Sequence, residues 1–167
     1  MTGRKGPPAT ITVRFSVRPG QGEPDDFDLG DMVWEGERGR VVSAGHVPDQ
    51  GMMIHLSVAL LLHQLGPLLS GKRRTLSYAG IGSSFRLDFR HDGKGFVSVA
   101  SKGKPVGRVR AEDLAQTVLR AAEELAQEGS SSLPADSGAR NDCLAAVREF
   151  RVTMEAMEAT GTGVAEA

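Results

Sequence analysis

Thr10-Ile-Thr-Val-Arg-Phe-Ser-Val-Arg18 alternates strictly between apolar and polar side chains. Ile11, Val13, Phe15 and Val17 fall on one face of an extended chain, and Thr10, Thr12, Arg14, Ser16 and Arg18 fall on the other. A period of two is strand geometry, so the stretch reads as a half-buried strand with one face on a core and one in water. Pro19-Gly20-Gln21-Gly22 ends it with turn chemistry.

The same pattern recurs downstream. Met32-Val-Trp34 and Val41-Val42 read as short strands flanking a turn from Gly36 to Gly39, and Thr75-Leu-Ser-Tyr78 as another. Phe85, Leu87 and Phe89 alternate with Arg86, Asp88 and Arg90. His91-Asp-Gly-Lys-Gly95 is a glycine-containing hairpin turn from which Phe96-Val-Ser-Val-Ala100 returns. Lys102-Gly-Lys-Pro105 is a second turn, with Val106 to Val109 as the last strand. Three segments carry helical period instead. Residues 51–65 are apolar around most of the helix, with Asp49 as the expected N-cap and Gly66-Pro67 as the stop. Residues 111–127 place Leu114, Val118, Ala121 and Leu125 on one face, with Glu112 and Asp113 in the first turn and Gly129 closing the end. A last helix covers 140–158.

The pattern predicts an α+β fold: an antiparallel sheet with the 51–65 and 111–127 helices on one face, and a C-terminal helix after a flexible linker. Residues 1–8 are expected to be disordered, 9–128 to form the core domain, 129–139 to be the linker, and 159–167 to be a flexible tail. At 167 residues, the chain can bury roughly 70% of its unfolded surface without a staple. Its single cysteine, Cys143, excludes an intramolecular disulfide. A net charge of −1 excludes bulk attraction to nucleic acid or membrane. The longest apolar run is interrupted by His55, Ser57, His63 and Gln64, so no membrane partner is expected, and the chain reads as cytoplasmic.

Catalytic patterns do not assemble. His55 and His63 are eight residues apart, about 80° around a helix, and no pair has the i, i+4 spacing of a helical zinc site. There is no Gly-x-Ser-x-Gly elbow, and Gly71-Lys72 is followed by arginine rather than serine or threonine. Asp25-Asp-Phe-Asp-Leu-Gly-Asp31 lacks EF-hand spacing. No enzyme activity, metal or cofactor is therefore expected.

Charge distribution carries more. Residues 71–110 hold ten basic side chains against Asp88 and Asp92, while residues 23–37 hold seven acids and no base. Either these segments face solvent or pair with each other, or they form docking surfaces. On the docking reading, Asp25, Asp26, Asp28 and Asp31 meet a cationic partner, and Arg86, Arg90 and Lys94 of the basic hairpin meet an anionic one. In the last helix, Cys143, Val147, Phe150, Met154 and Met157 are spaced 4, 3, 4, 3. That apolar stripe needs a cover. Phe150, Met154 and Met157 would dock either onto the chain's own core or onto a second copy or another protein.

The order of strand, acidic loop, apolar helix, hairpin (His91-Asp-Gly-Lys-Gly-Phe-Val) and amphipathic helix (Ala111 to Gln127) resembles small α+β bacterial proteins of unknown function. Some of those resemble immunity partners of polymorphic toxins. The resemblance spans residues 10–128 and brings over no functional residue. It implies a non-enzymatic module that binds, and neutralises or regulates, a partner protein. The alternative is a nucleic-acid-associated regulatory module using the basic 71–110 region.

Overall fold

Alternation becomes pairing first in the opening strands. In the computed structural model, which describes residues 10–165, β1 (Thr12–Val17) runs antiparallel to β2 (Leu29–Glu35). Phe15 lies opposite Met32 and Val13 opposite Trp34, so the apolar faces of both strands coincide. β2 also pairs with β3 (Arg40–Val42) and with the short β4 (Met52–Met53). A second antiparallel sheet follows in the order β5 (Thr75–Ala79), β6 (Arg86–His91), β7 (Phe96–Ser101) and β8 (Lys104–Arg110). The α+β class holds, but with two four-stranded sheets in place of one. The split follows from α1 (Ile54–Leu69), which separates β4 from β5 in the chain.

Trp34 joins the two sheets. Its ring lies 6.3 Å from Phe15 of its own sheet and 5.6 Å, edge-on, from Phe89 of the second. Below these rings α1 buries Ile54, Val58, Leu61, Leu62, Leu65, Leu68 and Leu69. Tyr78 donates its hydroxyl to the carbonyl of Ser57 at 2.6 Å, and the Ser57 hydroxyl accepts the Ile81 N–H at 2.9 Å. The two serine groups thus tie an otherwise apolar helix to β5 and the turn after it.

Helix boundaries depart from expectation for identifiable reasons. Met53, not Asp49, is the N-cap of α1, because Met52 and Met53 pair with β2 as β4 and the helix begins only at Ile54. Pro67 does not end α1. It sits on the exposed side, and the helix runs on through it while Leu68 and Leu69 pack inward. α2 (Ala111–Ser132) runs past Gly129 into the segment expected to be a linker. There Ser131 and Ser132 donate to the carbonyls of Gln127 and Glu128, so the serines join the helix ladder. Leu133 and Ser137 are buried, which leaves no flexible spacer between α2 and α3 (Gly138–Ala165). α3 also covers part of the expected tail, and residues 1–8 lie outside the described residues.

The stripe on α3 is covered by the chain's own helices. Cys143, Val147, Phe150 and Met154 are buried in the same core as α1 and α2, and Met157 is half-buried beside them. Phe150 and Met154 are therefore core residues rather than a free docking edge. The whole described chain forms one core, so the expected 9–128 boundary does not separate an independent unit.

Candidate functional site

The outer face of the second sheet is open. Its rows follow from register: Thr75, Arg90, Ser98 and Arg108 lie side by side across the four strands. The next row is Ser77, Asp88, Ala100 and Pro105. Beyond it Ala79 pairs with Arg86, and at the other end Phe96 pairs with Arg110. Small side chains occupy the middle and form a shallow recess lined by Thr75, Ser77, Asp88, Arg90, Ser98 and Ala100. Arginines stand around it. Arg86, Arg90, Arg108 and Arg110 are all exposed, and Asp88 is the one carboxylate on the strands' outer face.

Alternation produces this division. Leu76, Tyr78, Leu87, Phe89, Val97, Val99, Val106 and Val109 take the inner positions and are buried, so the intervening residues must point outward. Arg86 and Arg90, both expected at the site, share this face. Lys94 is exposed in the β6–β7 turn next to it. Arg108 and Arg110 join them, a clustering that the alternation Arg108-Val109-Arg110 signals once β8 is placed beside β7. Phe96 is half-buried, and the guanidinium of Arg108 lies 4.3 Å from its ring centre, with that of Arg110 at 5.7 Å. Asp92 fixes the turn by accepting the N–H groups of Lys94 at 2.7 Å and Phe96 at 3.1 Å, and it pairs with Arg108. These bonds, led by that of Lys94, hold its carboxyl down at about 2.

The acidic loop is a clasp. Gln21 closes its base, donating to the carbonyls of Arg18 and Leu29 and accepting the Leu29 N–H. Asp25 accepts the Phe27 N–H at 2.8 Å. Asp28 is buried, accepts the Asp25 N–H on its carboxylate, and accepts the first N–H of α1, that of Ile54, on its carbonyl. Asp26 accepts the Ser137 hydroxyl, which itself accepts the Arg140 N–H at 3.1 Å as the N-cap of α3. Asp26 thus reaches the start of α3 through Ser137, and the Asp28 backbone closes the start of α1. Asp31 is bound by Arg18 at 2.8 Å and by the Ser43 hydroxyl at 2.7 Å. Arg18 grips Asp49 as well, at 2.6 Å. The guanidinium holds both carboxyls below their usual range, with the Asp31–Arg18 bond the main cause for Asp31.

Of the four aspartates expected to meet a partner, Asp26, Asp28 and Asp31 are engaged within the chain, and Asp25 is exposed with its carboxylate on the Phe27 N–H. The acidic and basic segments do not pair with each other in general. Glu35 and Arg40, at 4.0 Å, and Arg108 and Asp92 are ion pairs formed within each segment's own neighbourhood. Cys143 is buried, and burial pushes its thiol up to about 11, so it is unreactive. Among the described residues no group of three His, Cys, Asp or Glu is placed to hold a metal ion, and no helix is long and apolar enough to cross a membrane. No protein-family model, curated protein or solved structure matches the chain.

Proposed function

We propose that this chain is a non-enzymatic protein-binding module whose docking surface is the outer face of β5–β8, and that it neutralises or regulates an acidic partner protein. The observation that carries the reading is the segregation of Arg86, Arg90, Arg108 and Arg110 around a floor of Thr75, Ser77, Ser98 and Ala100 on one open sheet face. A floor of small side chains lets a partner approach closely, and arginine forks match carboxylates bidentately. Complementary charge of this kind raises the association rate and rejects basic competitors. The face is built on strands, so its side chains are positioned before binding, which lowers the ordering cost.

Arg86→Glu/Arg90→Glu/Arg108→Glu tests the reading. The three side chains are exposed, and the loss of the Arg108 contacts with Asp92 and Phe96 should lower the melting temperature by no more than a few degrees. Binding to a purified acidic partner, such as the product of an adjacent toxin-like reading frame, should fall by at least about a hundredfold by calorimetry. Unchanged affinity would remove the sheet face from the interface. A second reading, nucleic-acid binding, is favoured by the half-buried Phe96 beside two arginines, a stacking platform in miniature. Nanomolar binding to a duplex or single strand at physiological salt would put that reading first.

A further inference from the structure

A second basic surface lies beside the sheet face, in a groove of about 760 Å³ between the β2–β3 hairpin and the β7–β8 turn. The β2–β3 hairpin contributes Arg38, Arg40, Val41 and Val42. The following loop contributes His46 and Gln50, and the β7–β8 turn contributes Lys102, Lys104 and Pro105. Among the described residues no carboxylate lines it. Arg38, Lys102 and Lys104 make no ion pair among the described residues, and Arg40 has only the loose contact to Glu35.

The walls are fixed in place. Arg38 donates its backbone N–H to the Val106 carbonyl at 3.0 Å, which fastens the β2–β3 hairpin to the edge of β8. Gly36 and Gly39 permit that approach, because a Cβ there would lie 2.4 Å from the Val106 oxygen and 2.6 Å from the Pro105 oxygen. On the loop side Arg18 holds Asp49, the Ser83 hydroxyl holds the Gln50 carbonyl at 2.6 Å, and the His46 ring bonds the Val42 carbonyl at 2.6 Å. Internal hydrogen bonds thus fix both walls of the groove.

Lys102 supplies an independent sign. It sits at φ +50° and Gly103 at +82°, so both central residues of the β7–β8 turn are left-handed, the pattern of a type I′ turn. Asparagine or glycine suits the first of these positions, whereas a long aliphatic side chain is disfavoured there. A lysine held at that position, on the lip of a groove without carboxylates, is a local cost that a ligand contact would explain.

We propose that this groove binds a small molecule carrying clustered phosphates, with Arg38, Arg40, Lys102 and Lys104 as the phosphate ligands and Val41, Val42 and Pro105 as the floor for its non-ionic part. The volume lies within the range of small-molecule sites, and lysine and arginine are the ordinary ligands of phosphate. The proposal is independent of the sheet-face reading.

Calorimetry and thermal melts of the full chain with inorganic tripolyphosphate, with ATP and with a single-stranded oligonucleotide test it. Tripolyphosphate should bind and raise the melting temperature. Lys102→Asn/Lys104→Gln should weaken it by about tenfold or more. Lys102→Asn alone should raise the melting temperature of the free protein, because asparagine tolerates the turn, and still weaken binding. A purely structural lysine would not move the two readouts in opposite directions. ATP binding tighter than tripolyphosphate would show that the floor contributes. Arg86→Glu/Arg90→Glu/Arg108→Glu should leave tripolyphosphate affinity within about twofold, since those residues are outside the groove. Absence of binding at millimolar tripolyphosphate and ATP, or affinity indifferent to Lys102 and Lys104, would overturn the proposal. An oligonucleotide bound far more tightly than either small anion would overturn it in favour of nucleic acid.

Discussion

Ser137 joins two parts of the chain with one hydroxyl, donating to Asp26 and accepting from the first turn of α3. Ser137→Ala should therefore cost about 1–2 kcal/mol of unfolding free energy, the upper range for an N-cap, measured by urea titration. Asp25→Asn/Asp26→Asn/Asp28→Asn should lower the melting temperature by several degrees, because the Asp26 carboxylate holds the Ser137 hydroxyl and the Asp28 carboxylate is buried on the Asp25 N–H. An unchanged melting temperature would mean the loop is only draped over the core. His55 lies below the same clasp. Burial pushes its ring below the ordinary histidine range, and the charges of Asp28, Glu128 and Asp26 oppose that shift only in part. The folded protein then binds fewer protons than the unfolded chain once pH falls through about 6.5. Stability should drop as pH falls from about 7.5 to 5.5, and His55→Leu should flatten that leg of the curve. The depressed Asp31 and Asp92 carboxyls act lower, with stability present above pH about 4 and lost as pH falls through their folded values. A slope that His55→Leu leaves intact would assign the acid sensitivity elsewhere.

Elements were legible where their pattern is local. Strict alternation located β1, β6 and β7, and the 4, 3, 4, 3 spacing located the buried face of α3. Ends were not, because they are decided by contacts distant in sequence. The serines after Gly129 read as linker until Leu133 is seen to be buried, and Pro67 reads as a stop until Leu68 and Leu69 are seen to pack. What covers α3 was equally invisible from its own residues. Since Phe150 is buried among α1, α2 and α3, Phe150→Asp should unfold the protein as a whole and not release the helix, with a loss above the 3–5 kcal/mol typical of removing a buried phenylalanine. Truncation before residue 138 should give an unfolded or aggregating chain by circular dichroism and light scattering. A folded monomer lacking α3 would restore the linker reading.

At the scale of the molecule, the charge segregation visible in the sequence has two physical origins. Three of the seven acids are employed inside the chain, Asp26 on Ser137, Asp28 buried in the loop and Asp31 on Arg18, whereas Arg86, Arg90 and Arg110 make no ion pair among the described residues. Composition could not separate these cases, because both appear as runs of like charge. Coupling of the sheets rests on Trp34 and on the β2–β3 hairpin tip. Gly36→Ala should destabilise the fold by about 1–3 kcal/mol, because its Cβ would meet the Val106 carbonyl at 2.4 Å and force the hairpin off β8. A neutral effect in urea titration would show that the hairpin gives way without loss.

The period-two division of β5–β7 has one more consequence. Residues that hold the fold and residues that meet the solvent alternate along β5, β6 and β7, so the outward set there can be rewritten without touching the inward one. Ser77, Arg86, Arg90 and Ser98 form a palette on a fixed frame. Randomising them should yield a library of surfaces on an unchanged scaffold.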